Sequence, residues 1–238
     1  MTIRSLAPRL LLAVGLSCLI GLSSRAGVIQ VDVHAVLTGR AVTTLTHGKL
    51  VPWTQGVDGG GHGDGYLTVE AAAANGDANA NALPGDGLFP ATAAHPEIQL
   101  NFANQDGQGF QTRGVIGAGE FTFPVPAQPY ARMQVFLTSA EGPSRLHFQL
   151  AYADGTFDQR DVLLPDYYND PSALNPDVFS LATNLAKWDA AGRLAERNHH
   201  HIHGVELHPD SHKQLVSVQL VKSAAGYLVF WGATGVAK

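Results

Sequence analysis

Four histidines stand within five residues, His199, His200, His201 and His203, in the run Asn-His-His-His-Ile-His-Gly beginning at Asn198. On a strand, His201 and His203 share one face, because side chains alternate with a period of two. Two convergent imidazoles suit a divalent transition metal. Glu206, His208 and His212 are further candidate ligands, although Glu206 falls on the opposite strand face. The competing reading is a set of packing histidines at a loop–strand junction, some hydrogen-bonded to Asp189 or Glu196.

Aromatic residues beside polar ones form the second candidate. Trp53, Tyr66, Tyr167, Tyr168 and Trp188 fall in or next to expected loops. Sugars present C–H faces that stack on flat rings, and their hydroxyls need polar partners. Asn169, Asp170, Asn198, His199 and His200 supply such partners. Trp188 and Tyr66 can equally plug the ends of a core. Enzyme signatures are thin, with no Gly-x-Ser-x-Gly elbow, P-loop or His-Glu-x-x-His. Asp64, His62 or Glu120 serve catalysis only if a cleft gathers them. The segment GGGHGDG looks like one copy of a calcium-binding glycine–aspartate repeat, but its aspartate falls one position early and the match is rejected.

The elements that must position these residues are strands. In residues 145–152, Leu146, Phe148, Leu150 and Tyr152 alternate with polar neighbours, as a half-buried strand requires. Asp154-Gly155 marks a hairpin to a strand over 156–164. A strict two-residue loop sets Phe148 opposite Asp161, and one bulged residue sets it opposite Val162, the favoured register. Residues 121–125 form a short strand ended by Pro124, Pro126 and Pro129. Residues 28–37 form a strand with Ile29, Val31, Val33 and Ala35 inward, and 43–45 a weaker one. The glycines of 53–71 predict a loop. Ile98, Leu100 and Phe102 point inward on a short strand, and 111–116 form another. Leu181, Leu185, Trp188 and Leu194 predict a helix over 181–197, capped by Ser180, with a strand beginning near His201. Val216, Val218 and Leu220 are the buried set of the next strand, and 227–232 form the last. About ten strands without βαβ alternation predict an all-β, antiparallel β-sandwich with one short helical segment.

The succession DGGGHGDGYLTVEA, FTFPVP, YARMQVFLTSAEG, LHFQLAYADGT before LLPDYY, then LVSVQLVKS before YLVFWGATG, resembles galactose-binding-like β-sandwich domains. These are the jelly rolls of carbohydrate-binding modules and glycosidase accessory domains. The resemblance implies a jelly-roll fold and suggests glycan binding. No sugar-binding residue set transfers from it position by position.

Of 238 residues, 1–26 read as a secretory signal peptide: Arg4 and Arg9 precede the apolar run 10–22, and Ser24-Arg25-Ala26 offers a cleavage site. The single β-sandwich domain is then 27–238. The one cysteine, Cys18, lies in the signal, so the mature chain has neither disulfides nor thiolate metal sites. A periplasmic or secreted location follows, with no membrane contact after cleavage. A net charge of −5 with no basic stripe argues against nucleic acid. The favoured expectation is a non-catalytic module binding a glycan or cell-surface polysaccharide through Tyr167, Tyr168, Asn169, Trp188, Asn198, His199 and His200, with no cofactor. Two alternatives stand: a structural or adhesive exported domain without a small ligand, and a metal-dependent hydrolase or lyase using His199–His203, with a divalent metal on His201 and His203.

Overall fold

The computed structural model describes residues 27–59, 63–107, 109–172 and 175–238. The expected signal peptide and His62 lie outside the described residues. In chain order the elements are β1 (Val28–Gln30), β2 (Val42–Thr46), β3 (Lys49–Val51), β4 (Tyr66–Leu67), α1 (Val69–Ala74), β5 (Leu88–Phe89), β6 (Ile98–Gln99) and β7 (Arg113–Ile116). Eight longer strands follow: β8 (Gly119–Gln128), β9 (Tyr130–Ala140), β10 (Ser144–Tyr152), β11 (Phe157–Leu164), β12 (Val178–Trp188), β13 (Leu194–Leu207), β14 (Leu215–Lys222) and β15 (Tyr227–Ala237).

The long strands make the expected all-β, antiparallel sandwich. One sheet runs β1-β15-β9-β13-β12, with β7 also on β15, and the other runs β11-β10-β14-β8. Phe148, Leu146 and Leu150 of the smaller sheet pack against Met133, Val135, Leu137, Val205, Leu228 and Phe230 of the larger one. The alternation read in residues 145–152 therefore faces this core.

The larger sheet is buried on both faces. On β15, Leu228 and Phe230 enter the sandwich, whereas Tyr227, Val229 and Trp231 pack into a second core with Val42, Tyr66, Leu83, Ile98, Leu100 and Phe102. The elements β2 to β6, with α1, thus form a third layer. A strand covered on both sides reads as a continuous apolar run, which is what YLVFW is.

Several local expectations change. The β10–β11 hairpin has a three-residue loop: Tyr152 N donates to Thr156 O at 2.9 Å, and Gly155 sits at φ +83°. Phe148 therefore faces Arg160, neither Asp161 nor Val162. Gly155 takes the left-handed position that such loops require. Pro124 and Pro126 lie within β8, which tolerates them as the edge strand of its sheet. On β14, Leu215 is buried and Val216 only half-buried, because a register shift follows Leu215. Ala35 is exposed, since residues 34–36 turn into a short 3-10 segment. The glycine-rich loop ends in regular structure, β4 and α1, where Thr68 Oγ1 accepts from Ala71 N at 3.2 Å and caps the helix.

The helix expected over 181–197 is absent; that stretch is the β12–β13 hairpin, with its turn at Asp189–Gly192. Repeated register shifts along β12 break the period of two. They leave Leu185, Ala186, Lys187 and Trp188 buried in succession and space the apolar residues as a helix would. Asp189 Oδ1 accepts from Ala191 N and Arg193 N, both at 2.9 Å, and Gly192 at φ +75° closes the turn.

Candidate functional site

Lys187 is almost fully buried at the end of β12, opposite Glu196 on β13. Its ammonium lies 2.9 Å from Asp58 Oδ2, 3.2 Å from Asp64 Oδ2 and 3.1 Å from Glu196 Oε1. It also reaches the hydroxyls of Tyr167 at 3.1 Å and Tyr168 at 3.2 Å. Burial opposes the charge on Lys187, but the bonds to Asp58 and Tyr167 outweigh it and hold the group above its ordinary pKa. Burial likewise raises the Glu196 carboxyl, and the Tyr168 hydroxyl and Lys187 outweigh that effect, so it titrates below the usual range.

The glycine-rich loop delivers two of these carboxylates. Asp58 Oδ1 accepts from Asp64 N at 2.9 Å, and Val57 N donates to Asp64 O at 2.7 Å. The loop is pinched so tightly that a Cβ on Gly63 would stand 1.9 Å from Asp58 O. Glycine is required there for close backbone approach.

The two tyrosines arrive on the segment after β11. Asp166 fastens it, accepting from Gly142 N at 2.7 Å and Tyr168 N at 3.0 Å. The Tyr167 backbone bridges two strands, donating to Ser139 O and accepting from His201 N. Its ring is buried, and its hydroxyl donates to Asp58 Oδ2 at 2.8 Å. Burial above all pushes this phenol well above its ordinary pKa. Tyr168, by contrast, is 43% exposed, with its hydroxyl donating to Glu196 Oε1 at 2.8 Å.

The histidine run divides between the two faces of β13. His200 stacks on Tyr167 at 4.9 Å and donates Nδ1–H to Leu185 O at 2.8 Å. Its Nε2 lies 3.6 Å from Glu196 Oε2 and has no hydrogen-bond partner. Burial lowers the pKa of His200 and so favours its neutral form. His201 and His203 stack with ring centres 5.8 Å apart. His203 Nε2 donates to Asn169 O at 3.0 Å, and His201 Nδ1 is 3.7 Å from Asp170. Burial pushes His203 down to about 4. Among the described residues, no three His, Cys, Asp or Glu side chains are grouped to hold a metal ion.

Of the residues expected at a site, Tyr167, Tyr168, His200 and Asp64 therefore converge around Lys187, and Asn169 follows Tyr168 with its carbonyl bonded by His203. Asn198 and His199 are exposed on β13. Trp188 is fully buried, with its indole N–H donating to Asp77 at 2.9 Å, and it packs with Leu67 and Ala71 as a core plug. It offers no open ring face. Glu120 pairs instead with Gln219 on the smaller sheet. Sequence reasoning missed Lys187 and Asp58. A lysine beside a tryptophan in an apolar stretch, and paired aspartates in a glycine loop, were the signals available.

A cleft of about 540 Å³ adjoins the tyrosine segment, lined by Pro143, Val162, Leu163, Pro165, Asp166 and Asn169. No protein-family model matches the chain, and no curated protein matches it.

Proposed function

We propose that this protein is an exported, non-catalytic carbohydrate-binding module of galactose-binding-like, jelly-roll character. The glycan stacks on Tyr168 and extends into the cleft beside Asn169. One observation carries this reading: the exposed Tyr168 ring is already fixed. Glu196 and Lys187 hold its hydroxyl, while Tyr167 and His200 back its ring at 4.5 and 4.9 Å. An aromatic plane ordered before binding loses little rotamer freedom when a sugar stacks on it. The adjoining cleft combines apolar walls with the polar side chains of Asp166 and Asn169, the usual make-up of a small-ligand site. The antiparallel sandwich supports the fold assignment, and the signal-like residues 1–26 support a periplasmic or secreted location.

A screen of mature protein against immobilised glycans, followed by calorimetric titration, tests the reading. Binding with a Kd in the micromolar to millimolar range is expected, as about 4–8 kcal/mol suits so few contacts. Absence of any bound glycan places the structural or adhesive reading in front.

A further inference from the structure

We infer that the Lys187 cluster recognises a primary ammonium group, carried by a de-N-acetylated amino sugar in the bound glycan. This rests on the carbohydrate-binding reading and specifies its ligand class.

The inference comes from counting donors and charges. The donors that touch the carboxylates around Lys187 are spent internally. The Lys187 ammonium is surrounded by five oxygens, the Tyr167 hydroxyl donates to Asp58, and the Tyr168 hydroxyl donates to Glu196. What remains are acceptors. Glu196 Oε2 and His200 Nε2 face each other at 3.6 Å with no donor between them. His200 donates from Nδ1 to a carbonyl, which can only accept, so the neutral ring carries its lone pair on Nε2. That nitrogen is fully buried, has no hydrogen-bond partner and is aimed into the cluster. Burying an acceptor unsatisfied costs free energy that an incoming donor recovers.

Charge selects the kind of donor. Three carboxylates, Asp58, Asp64 and Glu196, surround one ammonium, leaving two negative charges uncompensated. A neutral hydroxyl satisfies the lone pairs but not the charge; an ammonium satisfies both. The Glu196 side chain is 40% exposed. A sugar stacked on Tyr168 directs its ammonium toward Glu196 Oε2 and His200 Nε2, with Glu196 Oε1 still holding the Tyr168 hydroxyl.

The test titrates mature protein with a glucosamine hexamer and with the N-acetylglucosamine hexamer, at low and high salt. The expected result is binding of the glucosamine hexamer about tenfold tighter or more at low salt, with the preference shrinking as salt rises. Glu196→Gln, checked for folding by circular dichroism, is expected to remove the preference while retaining weak binding of both hexamers. Tyr168→Ala is expected to weaken both alike. Equal affinity of the wild-type protein for the two hexamers overturns the ammonium inference and leaves the carbohydrate reading standing. If only N-acetylated or neutral glycans bind, the result is the same. Direct binding of spermidine with neither hexamer bound overturns the amino-sugar assignment, as does calcium binding that Glu196→Gln abolishes with neither hexamer bound. Binding of no glycan of any kind removes both readings.

Discussion

Lys187 and Asp58, 129 residues apart in sequence, meet at 2.9 Å and join the glycine-rich loop to the end of β12. The contact ties the N-terminal layer to the larger sheet at the point where the candidate site opens. It is a buried ion pair, so its removal from one side leaves charge without compensation.

Lys187→Met tests this. The loss of the ammonium leaves Asp58, Asp64 and Glu196 facing one another, and a cost of about 3–5 kcal/mol is expected. Urea denaturation at neutral pH measures it. A midpoint near that of wild type would mean that water reaches the carboxylates freely.

Stability should fall with acid, and His203 indicates where. Its folded-state pKa, about 4, lies below the ordinary 6.5 for histidine. The unfolded chain therefore takes up the proton first. The neutral ring's contribution is complete above about pH 6.5 and is lost as pH falls toward about 4, amounting to about 3 kcal/mol. Burial shifts His200 and His201 in the same direction. Unfolding free energies between pH 7.5 and 4.5 should decline, and His203→Gln should flatten the decline. An identical slope in that variant would assign the effect to other groups.

The core prediction concerns Phe148, fully buried between the sheets. Phe148→Ala should cost about 3–5 kcal/mol, through lost burial and the cavity left behind. A denaturation midpoint unchanged from wild type would contradict its position in the core.

Gly204 gives a sharper steric test. It pairs with Phe179 across β12 and β13, and a Cβ there would lie 2.1 Å from the Phe179 ring. Gly204→Ala should cost about 1–3 kcal/mol as the ring is displaced. Phe179→Ala combined with Gly204→Ala should show less than additive loss, since the first removes the clash.

The sandwich was legible because its strands obey one rule locally. Leu146, Phe148 and Leu150 face a single core, and period two suffices to find them. The β12–β13 hairpin was not legible, because its register shifts put Leu185 through Trp188 inside in succession and spaced Leu181, Leu185 and Trp188 like a helix. The turn itself was readable afterwards from Asp189 and Gly192. Tyr168 beside a polar segment could be read as an open ring; its neighbour Tyr167 could not be told apart from it, since only the distant Asp58 and Ser139 determine that Tyr167 is buried. Lys187 was missed for the same reason. Two of its partners, Asp58 and Asp64, come from a loop whose fold depends on glycines and on no periodic pattern.

The pairing of β15 bears on how the chain reaches this structure. Strand β15 is the common neighbour of β1, β7 and β9, so β1 and β7 wait on residues 227–237 for their sheet partner and β9 for its second one. Loop closure over such separations is slow. An emerging polypeptide lacking those residues has β9 and β13 but no means of completing the middle layer, and neither covering layer has a finished surface to dock on. The native topology therefore assembles late and together, and the partially made chain remains open for as long as β15 is missing.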